Sequence, residues 1–139
     1  MVIYKRLKIS EKEARYLEDN LEGYIWVAID ARRGSIAAGD DYVADLRDNL
    51  LVRRSQPEDI YGVGVDLKTG AIDYIPSINR RNPNLDGKGN VPFFLRRRIE
   101  TLINYFFESF APFRIDRASS VRRKVAARDS ESFPTTPLG

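Results

Sequence analysis

The sequence predicts an α+β fold: a two-layer sandwich whose mainly antiparallel sheet has about five strands, with helices on one face. Three observations carry this reading. A hairpin pattern occurs twice at a constant offset of 36 residues, Val27-Ala28-Ile29-Asp30-Ala31-Arg32-Arg33-Gly34-Ser35-Ile36 against Val63-Gly64-Val65-Asp66-Leu67-Lys68-Thr69-Gly70-Ala71-Ile72. Helix-start patterns fall before and between the hairpins. A long amphipathic stripe then follows the second one. The order is β-α-ββ-α-ββ-α, and such mixed order with hairpins favours α+β packing over a parallel sheet.

Val2 to Leu7 combines apolar and basic residues, Val2, Tyr4 and Arg6 against Ile3, Lys5 and Leu7, and reads as a first strand. Ser10-x-x-Glu13 is a capping box, and Ala14, Leu17 and Leu21 follow at helical spacing until Gly23. Tyr24 to Ile29 is an apolar run long enough for burial on both faces. In each hairpin the Asp can accept turn amides and the Gly can take positive φ, so Asp30 and Asp66 should be equivalent. Asp40 or Asp41 can cap a helix with Val43, Leu46 and Leu50 inward. Ser55-x-x-Glu58 with Pro57 predicts one further helical turn.

After the second hairpin, SINRRNPNLDGKGN over 77–90 is a long polar loop. Asn90 can cap the main helix, with Pro92 in its first turn. Leu95, Ile99, Leu102, Ile103, Phe106, Phe107 and Phe110 fall on one face of that helix, opposite Arg97, Thr101, Asn104 and Glu108. The reading is one domain over 1–110, then a flexible basic C-terminal arm over 111–139.

Composition narrows the chemistry. The 139 residues include no Cys and no His, which excludes disulfides, thiol nucleophiles, imidazole bases and the common zinc sites. No apolar run reaches the roughly 20 residues of a membrane span, and the first residues lack a signal-peptide core, so a soluble cytoplasmic protein is expected. Through Phe110 there are 17 basic and 17 acidic residues, and the net +3 arises beyond it.

Gly39, Ala44-Asp45, Leu51, Ser55-x-x-Glu58-Asp59 followed by an apolar residue, an aromatic and Gly62, and finally Ser77-Ile78-Asn79-x-Arg81 form a recognisable series. On these residues the span from about Tyr24 to Phe107 resembles a small bacterial family of domains of unknown function. The resemblance implies a common fold and a shared SINxR loop, and it supplies no chemistry. Val43 stands where that family carries a His, so any activity resting on that His would be missing here.

Four groups of residues could carry function. Glu58-Asp59 with Asp66-Leu67-Lys68 echoes the acidic pair and D-x-K of metal-dependent nucleases, though only six residues separate Asp59 from Asp66. Asp45 beside Asp40 and Asp41 could add a carboxylate, as could Asp30. The loop offers Asn79, Arg80, Arg81, Asn82, Asn84 and Lys88 to an anion, close to a helix start. Arg96, Arg97 and Arg98, then Arg122, Arg123 and Lys124 of the arm, extend the same basic character.

Two functions are therefore weighed. The first is a non-catalytic binding or assembly module, with no cofactor or metal, docking on an acidic protein or a nucleic-acid assembly through loop 77–90 and tail 111–139. On a partner, Val121 to Val125 would form a short helix. The alternative is a small metal-dependent phosphodiesterase or nuclease using Asp45, Asp59 and Asp66, with Asp30. The absence of a well-spaced acid–base set favours the first.

Overall fold

A computed structural model describes residues 1–116, 121–122 and 127–129. The elements run β1 (Val2–Lys5), α1 (Glu11–Asn20), β2 (Tyr24–Asp30), β3 (Ser35–Gly39), α2 (Val43–Val52), β4 (Ile60–Asp66), β5 (Ile72–Tyr74), α3 (Pro76–Asn79) and α4 (Phe93–Phe106). One-turn 3-10 helices at Pro57–Asp59 and Ala111–Phe113 flank β4 and follow α4, and three short strands close the series: β6 (Ile115–Asp116), β7 (Val121–Arg122) and β8 (Ala127–Asp129). The sheet order is β1-β3-β2-β4-β5-β8. Its first five strands are antiparallel, as the sequence predicts, and β8 joins β5 in parallel.

The repeated hairpins explain the sheet's centre. Val27 and Val63, equivalent in the repeat, are also direct cross-strand partners, as are Tyr24 and Asp66, and Asp30 and Ile60. An antiparallel pair with that register has a local two-fold axis normal to the sheet through Val27 and Val63. The two hairpin turns therefore lie at opposite ends of the sheet. Each turn is built as expected. Asp30 Oδ1 accepts from the amides of Arg32 (3.0 Å) and Arg33 (2.8 Å), while Asp66 Oδ1 accepts from those of Lys68 (2.9 Å) and Thr69 (3.0 Å). Gly34 and Gly70 close them at φ 72° and 80°.

Helices cover both faces of the sheet, where one covered face was expected. Ile25, Val27, Ile29, Val63 and Val65 point to α1 and α4, whose Leu17, Ile99, Ile103 and Phe106 are fully buried against them. The opposite face buries Ala28, Ala37 and Ile60 under Leu46 and Leu50 of α2. The reason was already present in β2, which is apolar at both parities. Small Ala28 and Ala37 let α2 lie close, and bulkier residues face the larger helix pair.

Local signals were used in part. The Ser10–Glu13 capping box forms. Asp40 and Asp41 do not cap α2, whose N-cap is Tyr42; they sit 2.8 and 3.3 Å from the Met1 ammonium instead. Helix α4 starts at Phe93 after Pro92, so Asn90 is not its cap. Of the predicted stripe, Ile99, Leu102, Ile103, Phe106, Phe107 and Phe110 are buried and Leu95 is partly buried, and the core continues past Phe110 to Phe113, which is fully buried. The core boundary expected at Phe110 thus moves into the following 3-10 turn. Val121 and Arg122 are extended and pair with β6, whereas most of the helix considered for 121–125 lies outside the described residues. Among the described residues, no helix is long and apolar enough to cross a membrane.

Two stability predictions follow from this packing. Gly70→Ala should lower the unfolding free energy by about 1 kcal/mol or more in urea titration, because Ala is strained at positive φ. Phe113→Ala should cost about 3 kcal/mol by the same measurement, the cost of emptying a buried aromatic site.

Candidate functional site

Asp30 has no solvent exposure, yet all its polar needs are met inside the fold. Its Oδ1 takes the two turn amides, and its Oδ2 accepts the Ser55 hydroxyl at 2.6 Å. Ser55 is therefore not the cap of the following turn, whose N-cap is Gln56. It fixes the exit of α2 to the first hairpin turn. A buried carboxylate is tolerable only with such a donor set.

The carboxylates weighed for the nuclease alternative lie apart. Asp30 and Asp66 lie at opposite ends of a seven-residue strand pair, a span of about 20 Å. Asp59 is bound to Arg32, with Nε to Oδ2 at 2.9 Å. Asp45 is exposed on the first turn of α2. No group of three or more acidic side chains that could hold a metal exists among the described residues. Asp45, Asp59 and Asp66 do not meet.

The SINRRN loop divides into an inward and an outward half. Asn79 is fully buried; its Oδ1 accepts from Gly62 N (2.8 Å) and its Nδ2 donates to Gly62 O (3.3 Å). Asn82 Nδ2 donates to the carbonyls of Glu58 and Ile60, both at 3.0 Å, and its Oδ1 accepts from Asn84 N. The segment can lie this close to β4 because a Cβ at Gly62 would stand 2.9 Å from Ile78 Cγ2. Asn79 and Asn82, expected to meet an anion, are instead main-chain clamps. Arg96 is also committed inward, stacked 4.5 Å over the Tyr74 ring with Nε donating to Val91 O. Arg80, Arg81 and Lys88 face solvent. Arg122 is described only as backbone of β7, and Arg123 and Lys124 lie outside the described residues.

What the clamps accomplish is convergence. Asn82 holds the loop against Glu58 and Ile60, and the Asp59 carbonyl receives the Ala31 amide at 2.9 Å. Arg33 Nη1 donates to Arg53 O (3.0 Å), and Arg98 Nε donates to Ala31 O (3.0 Å). The first hairpin turn, the α2 exit, loop 80–82 and the second turn of α4 thus meet at one end of the sheet. They bring Arg32 and Arg33, Arg53 and Arg54, Arg80 and Arg81, and Arg98 together, all exposed. Asp59 offsets Arg32, and Asp30 is sealed from solvent. Arg54 sits at φ 73°, the only non-glycine with positive φ among the described residues. Sequence reading selected Arg80, Arg81 and the Arg96–Arg98 run but missed the other four. Their signal was the recurrence of Arg-Arg pairs where elements end, at 32–33, 53–54 and 80–81.

No family model matches this chain, and neither does any curated protein or solved structure. Any functional reading must rest on the geometry.

The opposite end of α2 has the opposite sign. A cleft of about 630 Å³ there is lined by Trp26, Tyr42, Asp40, Asp41 and Asp45, with Ile75 and Ser77 beyond. Carboxylates at the N-terminal end of α2 and arginines at its C-terminal end both oppose the helix dipole's partial charges.

One titrating group borders the arginines. Burial pushes the Glu100 carboxyl up to about 7, against the opposing pull of the Tyr74 hydroxyl and the Arg96 and Arg97 guanidinium groups. Tyr74 donates to Glu100 Oε2 at 3.0 Å. With the folded-state value above the ordinary 4.5, the folded protein holds this proton more tightly than the unfolded chain. That stabilisation is complete below about pH 4.5 and is lost as pH rises through about 7. Glu100→Gln should flatten the decline in urea-unfolding stability across this window, by about 1 kcal/mol after allowance for solvent screening.

Proposed function

We propose that this domain is a non-catalytic docking module that engages an anionic macromolecular partner through its arginine-bearing end. One observation carries the reading. Arg80 and Arg81 are displayed outward on a segment whose flanking Asn79 and Asn82 are hydrogen-bonded into the fold. They stand beside arginines from three other chain segments. Holding the cations on a clamped segment lowers the ordering cost of binding. In the resemblance to SINxR-bearing domains, Asn79 then supplies the clamp and Arg81 the displayed charge. The tail over 111–139 extends the same basic character and remains part of the proposal.

Retention of the full-length chain on immobilised heparin, a generic polyanion, tests this. The protein should bind at about 0.1 M salt, and the Arg80→Ala/Arg81→Ala double variant should bind at least about tenfold more weakly while keeping its melting temperature. A parallel variant neutralising Arg122, Arg123 and Lys124 separates domain from tail. If that variant alone loses retention, or the wild type is not retained, the arginine end is not the docking surface.

A further inference from the structure

We infer that the anionic partner is single-stranded nucleic acid, with phosphates on Arg33, Arg54, Arg80 and Arg81 and a base stacked on Phe94. This deepens the docking proposal and rests on it. The first support is aromatic. Phe93 and Phe94 open α4 with 59% and 70% of their surfaces exposed, although Leu95, Ile99, Leu102, Ile103 and Phe106 of that helix pack into the core. Phe94 precedes Arg98 by four residues, so the two share one helix face, about one turn apart. Arg98 in turn touches the hairpin turn that carries Arg33. The exposed ring therefore borders the arginine end.

The second support is the kind of cation. On the first hairpin turn, the α2 exit and residues 80–82, every basic residue is Arg and none is Lys. A guanidinium presents a planar fork to phosphate oxygens and can itself stack on a base, which an ammonium cannot. A carboxylate-rich protein would need charge alone and would leave the exposed Phe94 ring without a role. Third, this end is made of turns and a clamped loop, not of a projecting helix that could enter a duplex major groove. A flexible strand with unstacked bases can follow such a surface, joining backbone contacts to aromatic stacking.

Fluorescence anisotropy of the full-length chain with a labelled single-stranded 12-mer, the same sequence as duplex, and an Asp/Glu-rich peptide tests the assignment. The single strand should bind most tightly. Phe94→Ala, at an exposed position, should weaken it roughly tenfold with an unchanged salt slope. Phe94→Tyr should restore binding. Arg80→Ala/Arg81→Ala should flatten the slope of log K against log salt by about 0.7 for each lost phosphate contact. Arginine-dependent binding of the peptide but not of the oligonucleotide would overturn the nucleic-acid assignment and leave the docking module standing. Equal binding of duplex and single strand with a silent Phe94→Ala would overturn the stacking contact and the single-strand preference. Binding of no probe would overturn both readings.

Discussion

The buried carboxylate of Asp30 is the contact on which the rest of the structure depends. It receives two turn amides and the Ser55 hydroxyl, and so joins the first hairpin turn to the segment that leaves α2. Without a donor set of this kind the carboxylate could not stay buried at all. With it, two chain segments 25 residues apart acquire a fixed relation, and Arg33 can reach the Arg53 carbonyl. Asp66 occupies the equivalent turn, where its Oδ1 accepts from Lys68 N and Thr69 N. The repeat thus gives two turns of the same backbone design, and Ser55 makes the first of them a junction with the α2 exit.

A second constraint comes from the segment after β5. Instead of continuing the sheet with a full strand, the chain lays a short helix and a loop along β4. Side-chain amides take over hydrogen bonds that a neighbouring strand would otherwise make with Gly62 and Ile60. Asn suits this because one side chain carries both a donor and an acceptor. The same clamps turn Arg80 and Arg81 outward. What looked like a polar loop with six ligand-facing groups is a buried seam with an exposed rim.

Charge is distributed with the same economy. The first 110 residues carry no net charge, yet folding sorts them. Arginines from four chain segments gather at one end of the sheet, and Asp40, Asp41 and Asp45 gather at the far end of α2. A local field of this kind governs encounter with a charged partner more than the total charge does.

Much of this architecture was legible along the chain. Hairpin chemistry is local, so Asp30, Gly34, Asp66 and Gly70 announced their turns, and helical periodicity named the buried stripe of α4. The Ser10–Glu13 box was equally plain. Where several local partners were available, the sequence misled: Ser55 had a helix turn to cap and chose a buried carboxylate, while Asp40 and Asp41 found an ammonium. The second helical layer over Ala28 and Ala37 required knowing which face a helix would take, and the core's extension to Phe113 depended on where the chain turned after α4. The arginine end was the least visible feature. Its pairs stand as far apart as residues 32 and 81, and only the antiparallel register of β2 and β4, with the Asn82 clamp, sets them side by side. The sequence alone determined the turns, the helices and the buried stripe, because those depend on neighbours within a few residues. The site was decided by tertiary structure, because it depends on which strand ends share an edge.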